Sequence, residues 1–198
     1  MITHSGILVM PLNQGAPSLE DIAVSLGRTC RFRGNTKRWW SVLQHSLLCH
    51  TIALEFHGAD PRMQLLVILH DAHEAVFGDI PTTWKTDAIR RDQAKMDSRI
   101  WKSLGIPHAT LAEEGLVRVV DKAALLAEAE VLGPPGILDY YHVEPPLPHK
   151  DIVRHLCNVY PSFEDANGPK SAGVHWFVTL VTRRLQECGY APDGPRAR

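Results

Sequence analysis

Residues 68–85, ILHDAHEAVFGDIPTTWK, place His70, Asp71, His73 and Glu74 within five positions, directly after the apolar Leu65, Leu66, Ile68 and Leu69. An unpaired charge inside apolar packing is costly, so a chain that buries one supplies a partner. A single cation would satisfy several of these side chains together. On a continuous helix His70 and Asp71 project about 100° apart, so both can reach one ion from neighbouring faces. Two further ligands must come from elsewhere, and polar interruptions of apolar helices are where to look. His45 interrupts WWSVLQHSLLCH among Val42, Leu43, Leu47 and Leu48, and Asp121 follows Val119 and Val120 in LVRVVDKAALLAEAE. Two imidazoles and two carboxylates suit a divalent transition metal (zinc, manganese, cobalt or iron) with positions left for water or substrate.

The elements that must carry these residues read as helices. Ser18 followed by Asp21 predicts an N-cap opening a short helix to about Leu26. Apolar positions Trp40, Leu43, Leu47, Leu48, Ile52 and Phe56 predict a helix over 39–57. Asp60-Pro61 starts the next helix, which holds the ionisable cluster; Gly78 stops it and Pro81 prevents an immediate restart. Residues 86–104 and 109–132 read as two long helices separated by Gly105 and Pro107, and 151–159 and 170–188 as two more. The proline-rich segment 133–150 is expected to be a loop with short ordered pieces at most, and 189–198 a frayed tail. With neither an internal repeat nor βαβ alternation, the expected class is all-α, one domain over 1–198.

Composition narrows the function. The chain has 198 residues, 44% hydrophobic and 22% charged, with a formal net charge of −1. That balance speaks against a dedicated nucleic-acid binder. No uncharged apolar run approaches the roughly 18 residues of a membrane span. The start MITHSGILVMPLN lacks the basic onset and long apolar stretch of a signal peptide, which predicts a cytoplasmic protein with reduced thiols at Cys30, Cys49, Cys157 and Cys188. Arg28, Arg31, Arg33, Lys37 and Arg38 form a basic run ahead of His45, suited to phosphate if it is more than a solvated loop.

The order His45, then His70-Asp71, then Asp121 resembles the H…HD…D pattern of the HD-domain phosphohydrolases, whose fold is a helical bundle with the metal between central helices. The flanks QHS, HDAHEAVFGDIPTTWK and VVDKAALLAEAE, with PLNQGAPSLEDIAVSLGRTCRFRGNTKRWWSVLQHS before them, resemble the small bacterial and phage branch, which includes 5'-deoxyribonucleotidases and phage dATP triphosphohydrolases. The resemblance runs from about residue 5 to 132. It implies His45, His70, Asp71 and Asp121 as metal ligands and Glu74 as the catalytic acid, four residues after His70 and so on its helical face. It also implies catalytic or substrate contacts for Asp79 and Thr82 in GDIPT, and a nucleotide-holding pair at Arg31-Phe32, one residue out of the usual spacing to His45. Asn35 and Arg33 depart from the branch's usual residues, which bears on substrate choice and not on the metal. Lys85 is a further phosphate candidate.

The function expected from this resemblance is hydrolysis of deoxynucleoside 5'-monophosphates to deoxynucleoside and phosphate. The alternative is a deoxynucleoside triphosphate triphosphohydrolase, with Mg²⁺ accompanying the triphosphate. A binding protein built on an inactive scaffold is a third reading. A zinc peptidase needs HExxH or HxxEH, and HDAHE has neither order. The partners implied are a small nucleotide and further copies of the chain, with no stable nucleic-acid partner and no membrane. His73 reads as a supporting or surface residue, Glu128 as either a support beneath the site or a surface residue, and Trp39, Trp40, Trp84 and Trp101 as core.

Overall fold

The computed structural model describes residues 15–143, 148–160 and 171–191. The start of the resembling segment, part of the proline-rich loop and most of the expected frayed tail lie outside them. Within the described residues the chain is helical, without a strand; one isolated antiparallel bridge joins Cys30 to Ser41. The all-α expectation holds.

Side-chain caps set the helix starts. α1 (Leu19–Arg28) opens on a capping box in which the Ser18 hydroxyl accepts from Asp21 N–H and the Asp21 carboxylate accepts from Ser18. α2 (Val42–His57) opens on the same device between Ser41 and Gln44 and closes on Gly58 at φ 56°. Each such cap satisfies donors that a helix start leaves unpaired. α3 (Pro61–Ile68) begins at Asp60, whose carboxylate accepts from Met63 N–H at 2.7 Å, with Pro61 in the first turn. Then come α4 (Glu74–Phe77), α5 (Asp87–Ser103), α6 (Leu111–Leu132), α7 (Ile137–Tyr140), α8 (Lys150–Val159) and α9 (Ala172–Glu187). Two short 3₁₀ turns, Arg31–Gly34 and Thr82–Trp84, lie between longer elements.

α2 is the axis of the fold. It packs against α1, α3, α6, α8 and α9, and from Val42 to His50 every residue on it is buried. A helix with so little polar face has to be central. α5, with only Gln93, Met96 and Ile100 buried, lies outermost.

The expected single helix over 61–77 is broken. α3 ends at Ile68, and residues 69–73 turn through tighter bonds: His70 N–H to Val67 O, Ala72 N–H to Leu69 O and Glu74 N–H to Asp71 O. Each reaches back three residues and not four, so the 100° step between His70 and Asp71 and the i,i+4 placement of Glu74 no longer describe the geometry. Two of the four tryptophans also depart from expectation: Trp40 is core at 1% exposure, whereas Trp84 is 62% exposed under the Arg33 guanidinium and Trp39 is 40% exposed.

A buried polar knot ties α2, α3 and α9. His50 Nε2 donates to Gln64 Oε1 (3.1 Å), which also accepts from Arg184 Nε (2.6 Å). Burial, with help from the nearby Arg184 charge, lowers the His50 pKa from its ordinary 6.5 to about 4, although its bond to Gln64 resists the shift. The unfolded chain therefore takes a proton at His50 below about pH 6.5 while the folded chain refuses it until about pH 4. Stability is lost across that window as pH falls. The melting temperature of His50→Gln, which keeps a donor for Gln64, should decline less steeply between pH 6.5 and 4 than that of the parent; parallel curves would rule out this origin.

Candidate metal centre

Two histidines meet at the heart of the site. His45, 0% exposed in the first turn of α2, and His70, just past the end of α3, bring their Nε2 atoms to 3.4 Å. Each ring is held from behind. His45 Nδ1 donates to Glu128 Oε1 at 2.7 Å, and His70 Nδ1 donates to the Val67 carbonyl at 2.8 Å. With both Nδ1 atoms committed, the two Nε2 atoms turn on one point, where each can hold a proton or a metal ion. Two such nitrogens repel unless a proton or a cation lies between them. Histidines that bind metals are held in this way, with one nitrogen fixed by an acceptor and the other left for the ion.

Two carboxylates join them. Asp71 Oδ2 is 3.1 Å from His70 Nε2 and 3.7 Å from His45 Nε2; Asp121 Oδ1, from α6, is 3.2 Å from His45 Nε2 and 3.7 Å from His70 Nε2. Around an ion with bonds of about 2.1 Å, adjacent donors lie roughly 3.0 Å apart at right angles and about 3.4 Å apart in a tetrahedron. The donor set fits a divalent cation in type and in spacing. All four residues singled out as ligands in the sequence come together here. Asp121 sits at the mouth, its side chain 45% exposed, and the neighbouring Val119 is exposed too, so its burial beside an apolar stripe is only partial.

The charges point the same way. Asp71, Asp121 and Glu128 oppose the single guanidinium of Arg31 in this cluster. Burial disfavours the charged forms of Asp71 and Asp121, but the two imidazoles beside them hold both carboxyls well below the usual carboxylate range. For His45, burial and Arg31 oppose a positive charge, yet Cys49, Glu128 and Asp121 outweigh them and raise its pKa; Asp71 and Asp121 do the same for His70. Protons and metal ions compete for such a site, because both answer the same excess of negative charge.

Glu128 is the keystone. It is 0% exposed and accepts from His45 Nδ1, from Trp40 Nε1 at 2.8 Å and from Arg31 Nε at 3.2 Å. The supporting role left open for it is the one it fills. Arg31 is itself buried in the floor of the site, with Nη1 3.7 Å from Asp71, rather than standing in a solvated loop. The segment that carries it is pinned: Arg31 N–H donates to Trp40 O and Lys37 N–H to Leu132 O. Phe32 and Arg33 take left-handed backbone angles (φ 54° and 55°), which side-chain-bearing residues adopt only at a cost. Asp79 offsets it, accepting from Phe32 N–H at 3.2 Å and tying this turn to the 78–85 loop. Asp79 is thus placed as a structural clamp between the two loops. Thr82 and Lys85 lie on that loop, Thr82 exposed and Lys85 half-buried and close enough to act on the charge of Glu74.

Glu74 is 4% exposed, and its Oε2 has no hydrogen-bond partner. Burial, with the Asp71 and Asp79 carboxylates, pushes its pKa up to about 9 against the pull of Arg31 and Lys85. Three residues near the site were not nominated from sequence. Cys49, one turn beyond His45 on α2, brings Sγ to 3.5 Å from His45 Nε2; i,i+4 spacing was the available signal. Asp97 on α5 hydrogen-bonds His73, and Tyr141 lies within electrostatic reach of Arg31 and Glu128. No local pattern marks either one.

Glu128→Gln keeps the volume but removes the charge that fixes His45. Divalent-metal affinity measured by calorimetry should fall tenfold to a hundredfold, the usual cost of losing such a support. Asp121→Ala removes a ligand and should abolish binding of the ion held by the histidine pair. Affinity within twofold of the parent in Glu128→Gln would rule out the supporting role.

No family model matches the chain. It is similar to the uncharacterized protein YfdR of Escherichia coli K12, with 31% identity over 124 residues, 62% of this chain and 65% of that protein. It is also similar to the uncharacterized protein RCAP_rcc00048 of Rhodobacter capsulatus, with 32% identity over 120 residues, 57% of this chain and 61% of that protein. The chain thus spans a little under two thirds of the length of either relative.

Proposed function

We infer that this chain is an HD-type metal-dependent phosphohydrolase acting on a nucleotide, with hydrolysis of deoxynucleoside 5'-monophosphates as the leading reaction. The observation that carries the reading is the convergence of His45 Nε2, His70 Nε2, Asp71 and Asp121 on one point, with each imidazole oriented from behind. When bound there, a divalent ion supplies Lewis acidity toward a phosphoryl oxygen and lowers the pKa of water.

The chain's own groups supply the rest. Glu74 places a carboxyl beside Asp71 in a nearly water-free setting, where it can hand a proton to the leaving sugar oxygen or orient and deprotonate the attacking water. Arg31 and Lys85 provide positive charge where negative charge develops on the phosphate, Arg31 held rigidly by Glu128 so that little reorganisation accompanies the reaction. Phe32, directly after Arg31, offers a ring to the sugar or base. Release of triphosphate from a deoxynucleoside triphosphate uses the same attack at the phosphorus nearest the sugar, so product analysis separates the two reactions.

Glu74→Gln keeps size and most hydrogen bonding but cannot exchange a proton near neutral pH. The ion at the histidine pair should remain, while single-turnover hydrolysis of the best deoxynucleotide slows at least a hundredfold, within the roughly 10²–10⁴ that a positioned acid or base contributes. Near-normal rates would remove Glu74 from the chemistry. A panel of deoxynucleoside mono- and triphosphates that yields neither phosphate nor triphosphate from metal-loaded protein would sink the function itself.

A further inference from the structure

Beside the first centre, three more groups able to ligate a metal lie close together. One atom each from Asp71, His73 and Glu74 lies within 4.8 Å of the others. His73 is 7% exposed and Glu74 4%, and His73 Nε2 and Glu74 Oε2 are both buried without a hydrogen-bond partner. His73 Nδ1 lies 3.0 Å from Asp97 Oδ1 on α5, a bond in which the ring nitrogen donates its proton to a carboxylate. That commitment leaves Nε2 as the ring nitrogen able to ligate, as for His45 and His70. The ring nitrogen and the two carboxyl groups can all ligate a cation, and buried polar atoms left without a partner are unfavourable.

We propose that Asp71, His73 and Glu74 form a second divalent-cation site, adjoining the first and sharing Asp71 with it. The broken helix makes it possible: the tight turns over 69–73 bring 71, 73 and 74 to one side, whereas on a regular helix residues 71 and 73 would project about 200° apart. Asp71 directs Oδ2 at the histidine pair, so a carboxylate bridge would use its other oxygen for the second ion. Two carboxylates and one imidazole form a harder donor set than the first site with Cys49 at its edge, and they suit Mn²⁺ or Mg²⁺ with water in the open positions. Paired ions about 3.5–4 Å apart recur where both the attacking and the leaving oxygen of a phosphoryl group must be stabilised. A cation here also selects between the roles open to Glu74: as a ligand it is an ionised carboxylate that can accept a proton from water. The proposal rests on the first centre through Asp71, and it holds whichever nucleotide is the substrate.

The test is Mn²⁺ stoichiometry on chelator-stripped protein, with no nucleotide present. The parent should bind two equivalents and, when loaded, show the electron paramagnetic resonance signature of an exchange-coupled pair. His73→Leu should bind one equivalent and lose the coupling, and His45→Ala should lose the other equivalent. Asp97→Asn, which leaves every ligand in place, should weaken only the second equivalent, by tenfold to a hundredfold; it carries the test if His73→Leu does not fold. One equivalent in the parent, removed by His45→Ala and kept in His73→Leu, overturns the second site and leaves the first. Two equivalents that persist in His73→Leu also overturn it. An absence of Mn²⁺ binding in the parent overturns both sites.

Discussion

Two imidazole nitrogens facing each other at 3.4 Å are the constraint around which this molecule is arranged. Neither ring can turn away, because Glu128 holds one and the Val67 carbonyl holds the other. Two nitrogens held so close need a positive charge between them, a proton or a cation, and the carboxylates around them favour one. The candidate metal centre is therefore a property of the whole bundle: α2 supplies His45, the end of α3 supplies His70 and Asp71, and α6 supplies both Asp121 and Glu128. Separating any two of these helices would take the site apart.

The irregular turn after Ile68 is the second requirement. A regular helix through residues 61–77 would have made more i→i+4 bonds and been the more stable local choice. Reaching back three residues instead of four places His70 and Asp71 beside His45, and His73 and Glu74 beside Asp71. The break is stabilised by the apolar residues on both sides, Leu65 to Leu69 and Ala72, all at 1% exposure or less. Here local regularity has given way to the geometry of the site.

Glu128 couples the histidine pair to the loop that precedes α2. Through one buried carboxylate the orientation of His45, the indole of Trp40 and the guanidinium of Arg31 become interdependent. Arg31 in turn fixes the entry to a turn whose next two residues sit in left-handed conformations, steadied from the opposite loop by Asp79. The Arg31 guanidinium is thus positioned by the same group that orients His45. Removing Glu128 would leave Arg31 as a buried charge short of its partner, a loss of roughly 3–5 kcal/mol in comparable pairs.

Much of this was legible in the sequence, for identifiable reasons. Ser18, Ser41 and Asp60 act through bonds to residues three positions away, so the helix starts they cap are local facts. His45, His70, Asp71 and Asp121 stood out because ionisable groups interrupt apolar runs, and that contrast survives without coordinates. The break at 69–73 did not show, because no glycine or proline marks it; packing of the flanking apolar residues imposes it. The supporting role of Glu128 depends on a partner 83 positions away, that of Asp97 on one 24 positions away, and the exposure of Trp84 on a loop that packs outward. The chain by itself determined which groups could bind a cation and which segments are helical. Only the tertiary structure decided which ring nitrogens face each other, because that follows from helix packing and from hydrogen bonds between residues far apart in sequence.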